Sequence, residues 1–163
     1  VSEVRRLIGD NLGAARRVAA RLRRSVERVA ALGPFTADLV AGLDPDQAER
    51  VDAFLKRFEQ LADLVGVTLF KGLAILEQED AGHLSRRDLA DLMEKLGAIA
   101  SAEQWSRVAV LRNRLAHGYP NDPGRQASRL REALDVTPVA LVALESLERY
   151  LAGKPGSAGD GLP

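Results

Sequence analysis

The chain has 163 residues, 46% of them hydrophobic and only 4% aromatic, with a formal net charge of zero. This fits one domain with a core of Leu, Val and Ala, in which helices pack on helices rather than forming a sheet. Zero cysteines exclude disulfides and cysteine metal sites, two distant histidines argue against a structural zinc, and no apolar run is long enough to span a bilayer.

The arginine-rich first residues show no signal peptide, so a cytoplasmic protein without cofactor or metal is expected. Charge is unevenly spread. Residues 1–31 hold eight basic and three acidic side chains, residues 32–104 seven and fourteen, and residues 105–163 eight and six. Opposite signs on different segments suit a protein with an anionic ligand and a protein partner, or a basic helix packed near the acidic segment. Arginine outnumbers lysine 19 to 4, which carries no RNA signal by itself.

In chain order, the spacing predicts a first helix from Ser2 to Leu32, with an apolar stripe at Val18, Leu22, Val26 and Val29 and arginines over the rest of its surface. Gly33-Pro34 ends it, and a short helical piece from Thr36 to Leu43 follows. Asp44, Pro45 and Gln47 start a second long helix. Its apolar positions, Val51, Phe54, Leu55, Phe58, Leu61, Val65, Leu69 and Leu73, mark it as the central core helix. Gly66 and Gly72 either weaken that helix or let a neighbour approach closely. After a loop holding His83, Ser85 with Asp88 opens a helix that Gly97 closes. Ser101 with Gln104 opens the next one, and Asp122-Pro123 starts the last. Pro138 predicts a kink or restart in that last helix. A disordered Gly/Pro/Ser-rich tail is expected over residues 153–163, leaving residues 1–152 as one all-α bundle of four or five helices.

The segment Arg112-Asn113-Arg114-Leu115-Ala116-His117-Gly118-Tyr119 carries the chemistry. On a helical wheel with Trp105 at the origin, Val108, Leu111 and Leu115 complete a buried stripe, and Arg112 falls inside it at about 340°. A guanidinium there requires an anion, either a phosphate or a carboxylate such as Glu59 or Asp63 on the core helix. Asn113 and His117 are four residues apart and share another face. Arg112 and His117 are about 140° apart, so one straight helix does not aim both at one atom. A bent arginine, a distorted helix end or a two-fold pair of helices would bring them together. Histidine exchanges a proton near neutral pH, and arginine with histidine is the minimum set for cutting RNA without a metal.

These residues resemble the R-x4-H-x-Y signature of the HEPN superfamily, specifically the HepT-like toxins. Arg112, His117 and Tyr119 fill the fixed positions, and Asn113 fills the polar position after the arginine. The likeness extends from the second long helix to the last, about two thirds of the chain. It implies a two-fold dimer whose motif helices line one cleft, and a metal-independent endoribonuclease leaving 2′,3′-cyclic phosphate ends. His117 would move protons, Arg112 would stabilise the phosphorane, and Asn113 would orient the phosphate or the histidine. The partner implied is a nucleotidyltransferase antitoxin that adds AMP to Tyr119, with transfer RNA the favoured substrate.

Plainer roles stand beside these. His117 can be a helix-ending residue bonded to a carbonyl, and Tyr119 can pack under its loop. Arg114 reads as a solvated charge or an RNA phosphate contact, and His83 as a surface loop residue. Trp105 reads as core or dimer interface, and the first-helix arginines as a solvated face rather than RNA contacts. The alternative function is a non-catalytic HEPN-fold dimeric adaptor that binds a nucleotidyltransferase.

Overall fold

The computed structural model describes residues 2–117 and 121–154, all of them helical or in connecting turns, with no strand among the described residues. Helix α1 (Ser2–Ala30) buries Ile8, Leu12, Ala15, Ala19, Leu22, Ser25 and Val29. The expected stripe is therefore shifted: Leu22 and Val29 lie inside, while Val18 and Val26 are half-buried at its edge. The small residues Ala15, Ala19 and Ser25 face the neighbouring helix instead, and the Ser25 hydroxyl accepts a 2.8 Å hydrogen bond from Arg57 there. Gly33 leaves α1 at φ 93°, a conformation that favours glycine.

Helix α2 (Ala37–Ala41) is capped by the Thr36 hydroxyl and packs on the last helix. Helix α3 (Pro45–Asp63) starts at the expected capping box, with the Asp44 carboxylate and the Gln47 amide each accepting the other residue's backbone N–H. It continues through a π-helical turn, Leu64–Leu69, into α4 (Phe70–Leu76), making one continuous rod. All eight apolar positions read from the sequence are buried along that rod. The π turn itself was not anticipated. Close approaches meet both glycines: an added Cβ at Gly66 would lie 2.7 Å from the Trp105 ring, and one at Gly72 3.1 Å from Ile8.

Helix α5 (Arg86–Leu96) begins with the Ser85–Asp88 capping box and stops at Gly97, φ 80°. Helix α6 (Ala102–Ala116) has its Gln104 N–H capped by Ser101, and its first N–H also meets the Glu94 carboxylate of α5 at 3.3 Å. Helix α7 (Pro123–Ala152) starts at Asp122 and runs unbroken past Pro138. The restart expected at that proline is absent. Val136, Thr137 and Ala140 are buried around it, and the Thr137 hydroxyl donates to the Ala133 carbonyl at 2.6 Å. Packing along this face outweighs a penalty of about 3 kcal/mol.

Around the α3–α4 rod, α1 and α6 pack on α3, α5 bridges α4 and α6, and α7 lies against α1, α2, α3 and α6. The all-α bundle is as expected, with five long rods and the short α2. Its core is mainly Leu, Val and Ala, as expected, and also takes in all four phenylalanines, Phe35, Phe54, Phe58 and Phe70. The last helix ends at Ala152. Gly153 caps α7, and Lys154 pairs with Glu77 and sits 4.6 Å from the Tyr150 ring centroid. The rest of the expected tail lies outside the described residues, and no described helix is long and apolar enough to cross a membrane.

Candidate functional site in the cleft beside helix α6

The helix that carries the motif is anchored by its apolar side. Trp105, Val108, Leu111 and Leu115 are buried, and the Trp105 ring packs against Phe70, centroids 5.1 Å apart, over the flat surface of Gly66. Trp105 is thus core and is not positioned as a stacking platform for bases. This packing orients the remaining faces of α6. One side of the helix looks across a narrow cleft at the end of α3 and the start of α5.

Arg112 enters that cleft. Its Nε and Nη2 donate to the two carboxylate oxygens of Asp63, at 2.8 and 2.9 Å, a bidentate ion pair between α6 and the last residue of α3. The Arg112 side chain is 23% exposed and that of Asp63 45% exposed, so the pair sits at the surface end of the core. The hydrogen bonds that Arg112 donates to Asp63 raise the guanidinium pKa further above its ordinary value, with Glu59 adding attraction from the same helix. Of the two carboxylates the sequence offered as partners, Asp63 makes the contact.

Asn113, exposed on the next position, accepts a 3.4 Å hydrogen bond at Oδ1 from Nη1 of Arg86, the first residue of α5. Arg86 was not singled out by sequence reasoning. It lines the same small concavity, about 20 Å³, as Ala62, Asp63, Gly66, Trp105 and Arg112. The only sequence signal near it is the capping box that places it at a helix start.

His117 is the exposed C-terminal cap of α6. Five residues separate it from Arg112, about 7.5 Å along the axis. Within one chain the two side chains therefore project from different sides of α6, as the wheel predicts. Asn113 and the exposed Val110 share the outward face with His117. Gly118 and Tyr119 lie outside the described residues, so the expected AMP-acceptor position has no structural account.

Arg114 points away from the cleft. Its Nη1 meets both carboxylate oxygens of Glu132 on α7 at 3.3 Å, and its backbone carbonyl accepts from Arg129. It is neither a freely solvated charge nor aimed at the motif. His83 is an exposed loop residue. Among the α1 arginines, Arg16 and Arg23 pair with Glu148 and Glu145 of α7. The basic helix thus packs against α3 and α4 of the acidic segment, one of the two arrangements expected, and two of its arginines pair with acids of the final helix.

Two roomier apolar hollows lie elsewhere, about 300 Å³ between Ile99 and Val142 and about 350 Å³ between Leu7 and Ile75. Neither brings together groups able to move a proton or stabilise an oxyanion. Among the described residues no three metal-ligating side chains cluster. The cleft beside α6 brings together Arg112, Asp63 and Arg86, with Asn113 at its edge, while His117 stands apart at the end of the helix. No family model, curated protein or solved structure matches this chain.

Proposed function

We propose that the protein is a metal-independent endoribonuclease of the HepT-like HEPN type, acting as a two-fold dimer in which α6 of each copy lines a shared cleft. The observation that carries this reading is the arrangement on α6. Arg112 is held by a carboxylate fork at the edge of a narrow cleft, while Asn113 and His117 stand exposed on the adjoining face. Because Arg112 and His117 leave one helix on different sides, a two-fold partner is the simple way to bring one arginine and one histidine to a single phosphate. Val110, 47% exposed one turn before Asn113, offers that contact an apolar centre.

In this scheme the ribose 2′-hydroxyl loses its proton to a base, and its oxygen attacks the adjacent phosphorus. The 5′-oxygen departs and takes up a proton, leaving a 2′,3′-cyclic phosphate and a 5′-hydroxyl. His117 moves protons in this exchange. Arg112 offsets the charge that builds on the phosphorane oxygens, and Asn113 orients the phosphate. Asp63 is a positioning residue that fixes the guanidinium plane. A nucleotidyltransferase partner that adds AMP at Tyr119 would switch the enzyme off, because anionic phosphates placed two residues from His117 repel RNA.

The test is cleavage of transfer RNA and of unstructured RNA by purified protein in the presence of a chelator. His117→Ala and Arg112→Ala are each expected to lose about 10²- to 10⁴-fold in rate, and the products should carry cyclic phosphate ends. Activity that survives both substitutions, or needs added metal, overturns the reading.

One observation favours the adaptor alternative: Asp63 already neutralises Arg112, as a purely structural ion pair would. The two separate on one comparison. An adaptor predicts that His117→Ala changes neither RNA integrity nor growth on expression, whereas the nuclease predicts toxicity that this substitution removes.

A further inference from the structure

We infer that Arg86 is a phosphate-binding residue of the α6 cleft, forming with Arg112 a two-guanidinium seat for one backbone phosphate of an RNA strand. The inference takes its ligand from the ribonuclease reading, but its geometry stands separately. The Ser85–Asp88 capping box places Arg86 on the first residue of α5. From there its side chain crosses to α6 and reaches Asn113, while also lining the concavity that holds Arg112 and Asp63.

The partners of these arginines decide the argument. Arg87, the next residue, is paired with Asp91 at 3.3 Å. Arg86 has no carboxylate partner among the described residues, only the long contact to a neutral amide oxygen. Asp63 takes Nε and Nη2 of Arg112, and no described residue accepts from Nη1. Two guanidiniums and one carboxylate line the concavity, with Glu59 acting on Arg112 from farther back on α3, and the donors left unused lie in planar geometry that suits a phosphate oxygen.

Size narrows the ligand. A hollow of about 20 Å³ holds little more than one water, or one non-bridging phosphate oxygen. It has no room for a base, and Trp105 is packed away beneath it. The seat therefore grips the backbone without reading sequence.

The experiment measures binding, not cleavage. A fluorescent 2′-O-methyl oligoribonucleotide of mixed sequence, which lacks the attacking hydroxyl, is titrated with the full chain at several salt concentrations. Circular dichroism confirms that each variant is folded. Arg86→Ala is expected to weaken binding about three- to tenfold and to reduce the slope of log affinity against log salt by about 0.7, one lost phosphate contact on a single strand. Arg87→Ala, with the same change of charge just outside the cleft, should leave both values as they were. Equal losses in the two variants, or an unchanged slope for Arg86→Ala, overturn the seat while leaving the nuclease reading standing. Failure of the unsubstituted protein to bind the oligonucleotide overturns both.

Discussion

A guanidinium on the buried stripe of a helix needs an anion, and for Arg112 that anion is built into the fold as Asp63. The need was visible in the sequence, since the wheel puts Arg112 between Trp105 and Val108. The partner was narrowed to Glu59 or Asp63, one helical turn apart on the same face. Choosing between them takes the relative height of α3 and α6, which no local pattern encodes. Because both groups are partly exposed, Asp63→Asn is expected to cost only about 1 kcal/mol in urea unfolding. Arg112 adds no pH dependence to that stability. Its folded pKa is raised from a value already far above neutral, so its contribution is complete below the unfolded value and is lost only as pH rises through the folded one, outside the working range. For catalysis, Asp63→Asn should lower kcat about tenfold with little change in KM, because a loosened guanidinium misplaces transition-state stabilisation more than it weakens binding. Equal rates at 25 °C, with Asp63→Asn losing activity at a lower temperature than the unsubstituted protein, would instead mark the pair as structural.

Among the elements, helix starts were the most legible features. Asp44, Ser85 and Ser101 cap where the sequence places them, because a cap is satisfied within three residues of itself, and Thr36 and Asp122 cap the two helices whose starts were read from turns. What happens inside a helix was less legible. The π turn at Leu64–Leu69 lies where Trp105 presses on Gly66, a contact between residues 39 apart in the chain. The restart is absent at Pro138 for the same reason, since the local cost of the proline is outweighed by packing contributed from other helices. Gly66→Ala tests the first point. On propensity alone it should stabilise a helix by about 1 kcal/mol. With a Cβ 2.7 Å from a buried indole, the expected outcome is a net loss of about 1–2 kcal/mol in urea unfolding, together with a changed tryptophan emission. A gain in stability would show that Trp105 yields easily.

At the scale of the whole molecule, net charge zero conceals a division of labour. Exposed pairs such as Arg16–Glu148 and Arg23–Glu145 tie α1 to α7, and two arginines and one aspartate line the concavity beside α6. Exposed pairs of that kind contribute little stability each, so the bundle rests on its apolar core. The shared-cleft scheme makes a separate demand on assembly. Sedimentation equilibrium is expected to give twice the mass of one chain, and Val110→Glu, on the exposed face of α6, should shift it toward the monomer and reduce cleavage together with dimer content. A monomer at micromolar concentration with full ribonuclease activity would sink the shared cleft.

Read along the chain, periodic apolar positions and caps were enough to define an all-α bundle, its central rod and the helix bearing Arg112, Asn113 and His117, because each of those signals is complete within a few turns of backbone. Asp63 against Arg112, Arg86 over Asn113 and the indole on Gly66 became definite only when α3, α5 and α6 were brought together. Those contacts join residues 49, 27 and 39 positions apart, and their geometry follows from how the buried faces interlock rather than from any neighbouring residue.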